Sequence, residues 1–249
     1  MKAQFGEAWD LLFHPPVAHR GLWSPGGAPE NSLAAFQAAC RGGYGIELDV
    51  HLSADGEAMV FHDADLKRMT GIEGRLRDHT SGDLGHMRLK GADETIPTLV
   101  EALALIGHRA LVHVELKTGF GEVGPLEQRV HEILMDHAGP TCVIGFNPYS
   151  HAWFADRFPG VLRGLDSYGW SDPNPHLSAE QRKSFANLEQ VAVAKPHFLA
   201  MSIDTVAEPA VVKHRAGGMP VVAWTVREPA QWSAISAQCD NMIFEGFAA

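Results

Sequence analysis

Two acidic residues alternate with apolar ones in Gly45-Ile46-Glu47-Leu48-Asp49-Val50, and Val112-His113-Val114-Glu115-Leu116-Lys117 repeats the pattern. Successive side chains of an extended chain point to opposite faces, so Glu47 and Asp49 share one face, as do His113, Glu115 and Lys117. In a parallel sheet covered by helices both faces are apolar. Carboxylates placed there need partners, because each unpaired buried charge costs several kcal/mol. Two kinds of partner meet that need: basic side chains such as Lys117 and Arg20 in buried ion pairs, or a cation. Three convergent carboxylates offering only oxygen favour a hard divalent ion, Mg²⁺ or Ca²⁺, over zinc.

Further reactive groups stand where short β-type runs end. His19-Arg20-Gly21 closes a first run from Val17, and His62-Asp63 closes Met59-Val60-Phe61-His62. Arg20 and Lys117 suit a phosphate, whose oxygens an arginine grips in a bidentate fork. Imidazoles move protons near neutral pH. A lone histidine is most often structural; two at strand ends, beside an arginine and three acids, point to chemistry. The set suggests metal-assisted phosphodiester cleavage, one imidazole taking a proton from the attacking hydroxyl and the other giving one to the leaving oxygen. The sequence has neither a Gly-rich phosphate loop nor a GxSxG elbow.

These residues need a scaffold that brings strand ends together. Strands are expected at Val17–His19, Tyr44–Leu52, Ala110–Leu116, Thr141–Phe146, Val161–Leu165, Phe198–Ile203, Val221–Trp224 and Asn241–Glu245, with Met59–His62 an additional extended piece. Helices are expected at Ser32–Arg41, Pro97–Ile106, Leu126–His137, Pro148–Arg157, Glu208–Ala216 and Pro229–Gln238, and at Ser178–Ala194 after a loop rich in Pro, Asn and Gly. Eight strands separated by helices predict a single TIM (β/α)8 barrel domain over residues 1–249, with the active-site face at the strand C-termini. Residues 63–96 read as an insertion at the mouth. No eighth helix is expected after Glu245, and the segment Ala3–Phe13, with Phe5, Trp9, Leu12 and Phe13, is expected to cover that gap or close the barrel floor.

The 249 residues carry 20 basic and 30 acidic side chains, a formal charge of −10, with 45 % apolar content. That is an ordinary soluble composition, long enough for a large core. An acidic balance argues against a nucleic-acid backbone or an anionic membrane as partner, leaving a small-molecule phosphodiester. Fourteen histidines make charge sensitive to mildly acidic pH. Cys40, Cys142 and Cys239 show no metal or disulfide spacing and read as reduced thiols. The N-terminus fails as a signal peptide and no apolar run spans a bilayer, so a cytoplasmic location is expected. Oligomeric state is left open.

The ordered set His19-Arg20-Gly21, Pro29-Glu30-Asn31-Ser32 with Ala35-Phe36, Glu47-Leu48-Asp49-Val50, Asp55-Gly56, and His62-Asp63 with Leu66 and Arg68 resembles the glycerophosphodiester phosphodiesterases. The resemblance continues through Ile96-Pro97-Thr98-Leu99, Glu115-Leu116-Lys117 and Val222-Ala223-Trp224-Thr225-Val226, covering about residues 17–226. It implies a TIM barrel that uses one divalent cation, Mg²⁺ or Ca²⁺, to hydrolyse glycerophosphodiesters to glycerol 3-phosphate and an alcohol. Position by position it implies metal binding by Glu47, Asp49 and Glu115, acid–base roles for His19 and His62, and phosphate contacts from Arg20 and Lys117. It places Glu30 close to the metal and phosphate, and implies attack by the glycerol 2-hydroxyl with a cyclic phosphate that water then opens. Which histidine is acid and which is base stays open.

The chain departs from that pattern at the mouth. Asn241-Met242-Ile243-Phe244-Glu245-Gly246 stands where the family has Thr-Asp followed closely by Pro, and Gly145 precedes Phe146 where Ser is frequent. Both changes bear on the alcohol. Trp224 is read as lining the substrate pocket, Phe146 less strongly so. His113 and His51 are read as packed groups near the acids. His79, His86, His108, His131, His137, His151, His176, His197 and His214 are read as surface residues, and the remaining tryptophans form no stacking ladder. Alternative readings are a phosphodiesterase for lysophospholipid or sugar-phosphate diesters, and a silent barrel that binds phosphate metabolites.

Overall fold

The computed structural model describes residues 1–168 and 178–249; most of the expected Pro-, Asn- and Gly-rich loop, with Trp170 and His176, lies outside the described residues. The strands are β1 (Val17–Ala18), β2 (Gly45–Leu52), β3 (Ala58–Val60), β4 (Val112–Leu116), β5 (Thr141–Gly145), β6 (Arg163–Ser167), β7 (Phe198–Ser202), β8 (Val221–Val226) and β9 (Asn241–Phe244). Each strand from β4 to β9 pairs in parallel with the next, β4 pairs with β2, and β1 joins both β2 and β9 to close the ring. This is the expected TIM barrel. β3 stands outside the ring as an antiparallel strand on β2, with Val50 opposite Val60.

Alternation places the side chains. Ile46, Leu48 and Val50 of β2 and Val112, Val114 and Leu116 of β4 point outward into one apolar cluster with Phe36, Ala39, Leu99 and Ala102 of the neighbouring helices. The helix Leu33–Gly42 is capped by Ser32, whose hydroxyl accepts from the Ala35 N–H, and stops at Gly43 with φ 74°. The helix expected from Pro97 runs Leu99–Ile106, starting later because Thr98 and Glu101 form a reciprocal cap. The expected Ser178–Ala194 helix is two, Ala179–Ala186 and Val191–Ala194. Between them Leu188 takes φ 54° and buries its side chain beside Leu165 and Leu199, so tertiary packing overrides local helix preference.

The N-terminal segment closes the floor. Ala8 and Leu12 are buried with the inward residues Val17, Leu111, Cys142 and Phe198. Asn241 Nδ2 donates to the carbonyls of Leu12 at 3.0 Å and Pro15 at 2.9 Å, tying this plug to β9. The outer face of β9 is covered differently: Phe244 packs against Tyr44 at 4.9 Å and Phe247 at 5.3 Å, and residues 245–249 carry no helix. Residues 63–96 build a small core of their own from Leu66, Leu76, Leu84 and Leu89. No helix among the described residues is long and apolar enough to cross a membrane.

Two of the expected surface histidines are buried instead. His151 is fully enclosed, its Nε2 2.9 Å from the Gly145 carbonyl, and His131 stacks on Phe158. Both lie on helices, on the face turned to the barrel, and their apolar ring surface fills space there.

Candidate active site

Register does the first work. Pairing of β2 with β4 sets Asp49 beside Glu115 and Glu47 beside His113, all on the inward face. One oxygen from each of Glu47, Asp49 and Glu115 lies within 4.8 Å of the other two, and all three residues are buried. Both kinds of neutralisation foreseen from the sequence bear on this cluster. Lys117 Nζ lies 2.8 Å from Asp49 Oδ1 and 2.6 Å from Glu115 Oε1, and Arg20 Nε lies 3.5 Å from Asp49 Oδ2. Two cations do not balance three carboxylates, and Glu47 Oε1 is buried with no hydrogen-bond partner among the described residues. An all-oxygen donor set with an orphaned oxygen fits a hard divalent cation.

The electrostatics agree. Burial, then the charges of Asp49 and Glu115, push the Glu47 pKa well up. Burial and Asp49 push Glu115 up to about 7 against the pull of Lys117. Asp49 goes the other way: burial opposes its charge, but Lys117, His62 and Arg20 hold it far below the usual carboxylate range.

Arg20 is set by a tight turn after β1. Its N–H donates to Glu47 Oε2 at 2.9 Å and its Nη1 to Glu30 Oε1 at 2.9 Å. Arg20 adopts φ 57° and Gly21 φ 80°, and a Cβ on Gly21 would come within 2.9 Å of the Ala35 backbone. Only glycine fits that approach. Asn31 donates its N–H to the Arg20 carbonyl at 2.9 Å and its Nδ2 to Asp49 Oδ2 at 2.7 Å.

Each imidazole is anchored at Nδ1 by a carboxylate. His19 Nδ1 lies 2.6 Å from Glu245 Oε2, Arg227 holds the other carboxylate oxygen from outside, and His19 Nε2 lies 3.9 Å from Glu47. His62 Nδ1 lies 2.7 Å from Asp63 Oδ1, and Arg68 bonds both Asp63 and Glu30. A carboxylate only accepts, so Nδ1 carries the proton and Nε2 is the free atom. Burial, then Lys117 and Arg20, lower the His62 pKa against the opposing charge of Asp49.

These groups open on a cavity of about 200 Å³. His19, Arg20, Glu47, His62, Glu115 and Lys117 line one part, and Phe146, Asp166, Tyr168 and Trp224 line the rest. The Phe146 and Tyr168 rings stack at 4.6 Å, with Trp224 edge-on to both. A wider groove of about 1040 Å³ shares Lys117 and runs between Arg75 and Arg77 of the insertion and the segment after β4. Thus all eight sequence-selected residues, Trp224 included, surround one place: seven line the cavity, and Asp49 sits behind Lys117. His113 packs against Phe198 as expected, and His51 Nε2 meets the His62 carbonyl at 3.0 Å. Sequence reading passed over Asp166, the anchoring by Glu245 and Asp63, and the Asn31 bond to Asp49. The signal for Asp166 was alternation in Arg163-Gly164-Leu165-Asp166, where Leu165 faces the helices.

Fold and site together define a TIM barrel with a carboxylate cluster and paired imidazoles at the C-terminal ends of its strands. A sequence profile of the glycerophosphoryl diester phosphodiesterase family matches residues 19–134. The chain is 30 % identical over 237 residues to glycerophosphodiester phosphodiesterase 1 of Bos taurus, covering 84 % of this chain and 71 % of that one. It is 37 % identical over 159 residues to the glycerophosphodiester phosphodiesterase of Caldanaerobacter subterraneus, covering 60 % of this chain. The matched stretches span 65 % of that relative and 50 % of a Bacillus altitudinis one. Among solved structures, an Oleispira antarctica phosphodiesterase in complex with the product sn-glycerol-3-phosphate superposes with a TM-score of 0.80 at 27 % identity, covering 96 % of this chain and 94 % of that one. The chain belongs to the glycerophosphodiester phosphodiesterase family.

Proposed function

We propose that this protein hydrolyses glycerophosphodiesters to glycerol 3-phosphate and an alcohol. The observation that carries the reading is the meeting of Glu47, Asp49 and Glu115 within 4.8 Å, beside two basic side chains and two imidazoles held at Nδ1. Glu47, Asp49 and Glu115 would hold one Mg²⁺ or Ca²⁺, which supplies Lewis-acid stabilisation of charge on the phosphoryl oxygens. Arg20 and Lys117 bind and orient the phosphate from the same side. His19 and His62 present Nε2 atoms: one accepts the proton of the attacking hydroxyl, the other protonates the departing oxygen. Glu245 and Asp63 fix the tautomer that makes those Nε2 atoms available.

The cavity of about 200 Å³ suits a small polar group such as the glycerol arm, and the groove of about 1040 Å³ that shares Lys117 leaves room for the departing alcohol. The test is release of glycerol 3-phosphate from a panel that includes glycerophosphocholine, glycerophosphoethanolamine and a lysophospholipid, before and after EDTA. Turnover of the water-soluble diesters, lost with EDTA and restored by Mg²⁺ or Ca²⁺, is expected. No turnover of any member, or turnover unaffected by metal stripping, rejects the reading.

A further inference from the structure

Asp166 is 3 % exposed, lines the cavity, and has no hydrogen-bond partner for its buried Oδ2 among the described residues. The basic groups across the cavity are committed elsewhere: Lys117 to Asp49 and Glu115, Arg20 to Glu30 and Asp49. Asp166 also stands outside the cluster of carboxylate oxygens that lie within 4.8 Å of one another, so it is not a fourth member of the metal-binding set. A second orphan lines the same cavity. Trp224 Nε1, a donor only, is buried without an acceptor among the described residues. Orphaned buried polar atoms are rare in native folds and lower stability, so a pair in one cavity calls for a ligand that completes them.

The ligand must give a proton to one orphan and a lone pair to the other. An aliphatic hydroxyl does both. A trimethylammonium group does neither, and a primary ammonium answers Asp166 alone. The stacked Phe146 and Tyr168 rings offer an apolar wall to carbon-bound hydrogens beside these polar atoms. We propose that Asp166, together with Trp224 Nε1, reads the free hydroxyls of the glycerol arm of the substrate. This assignment rests on the glycerophosphodiester reading above and names the residue that makes the site select glycerol.

The test compares Asp166→Ala and Trp224→Phe with the unaltered protein, all with Mg²⁺ present. Binding of glycerol 3-phosphate and of inorganic phosphate is measured by calorimetry. Each variant is expected to weaken glycerol 3-phosphate by about tenfold more than phosphate, since losing a partner for a substrate hydroxyl carries at least that discrimination. The kcat/KM preference for glycerophosphocholine over propylphosphocholine, which lacks the hydroxyls, should fall by about as much, mainly through KM. Asp166→Ala should melt no lower than the unaltered protein, because it removes an unpaired group. Equal weakening of both ligands, weaker Mg²⁺ binding, or a lower melting temperature with the preference intact overturns the proposal. If the unaltered protein cleaves no diester, the function proposed above fails; the binding comparison still decides the role of Asp166.

Discussion

His19 and His62 lie on different elements yet share one support, a carboxylate at Nδ1 within 2.7 Å. On the proposed reaction, replacing either by alanine would remove a positioned proton donor or acceptor while the strands keep their packing. Turnover of glycerophosphocholine should fall at least about 10²-fold in His19→Ala and His62→Ala, with circular dichroism unchanged. Near-normal rates in both would take the imidazoles out of the reaction. Gly21→Ala acts through the backbone instead: it forces a side chain into φ 80° and against Ala35. A melting temperature lower by several degrees is expected, with activity falling as Arg20 leaves Glu47; an unchanged melt would show that the turn relaxes without strain. At this scale the sequence displayed most of the site. Glu47, Asp49 and Glu115 betrayed themselves as charges on a face that had to be buried. Asp166 was passed over because its alternation with Leu165 is a faint signal in a strand of five residues with only one acid on that face. Arg68 stood out only as part of the resemblance; its bond to Glu30 spans 38 residues and exists only once the insertion folds back over the mouth.

The elements were readable wherever one physical rule dominated. Short β-branched or apolar runs marked the eight barrel strands, alternation singled out the two that carry Glu47, Asp49 and Glu115, and Ser32 and Gly43 bracket their helix by capping alone. Where a tertiary contact competes with local preference the pattern misled, as at Leu188, whose buried side chain fixes a left-handed residue inside an otherwise periodic stretch. The floor shows the same dependence on tertiary context: Phe5, Trp9 and Leu12 have helical spacing, but only the closed ring gives their apolar face somewhere to go. Leu12 is wholly buried there. Leu12→Ala should cost about 2–4 kcal/mol through the lost burial and the cavity left behind. Denaturant unfolding measures this; a loss well below 1 kcal/mol, within the scatter typical of surface substitutions, would mean that the segment rests on the barrel without sealing it.

Across the whole molecule, two sets of buried groups work on stability from opposite directions. Burial holds His113 and His151 at pKa values of about 4, below their ordinary 6.5. The unfolded chain then binds more protons between those values, so their contribution is present above about pH 6.5 and is lost as pH falls toward 4. Glu115 is raised to about 7 and Glu47 is raised well above its ordinary value, so the folded chain binds more protons than the unfolded one as they titrate. Their contribution is present at acid pH and is lost as pH rises through the folded values. Above neutrality the metal-free barrel therefore holds mutually repelling carboxylates, and a divalent cation held there would relieve the strain by replacing the protons they shed. At a thousandfold excess over Kd, binding adds about 4 kcal/mol, or about ten degrees of melting temperature in a chain of this size. The shift produced by Mg²⁺ or Ca²⁺ should be clearly larger at about pH 8 than at about pH 5.5, and Glu115→Gln should flatten that difference. A cation shift equal at both pH values, or unaltered in Glu115→Gln, would separate metal binding from the carboxylate cluster, for the linkage between protons and cation follows directly from placing both on the same oxygens.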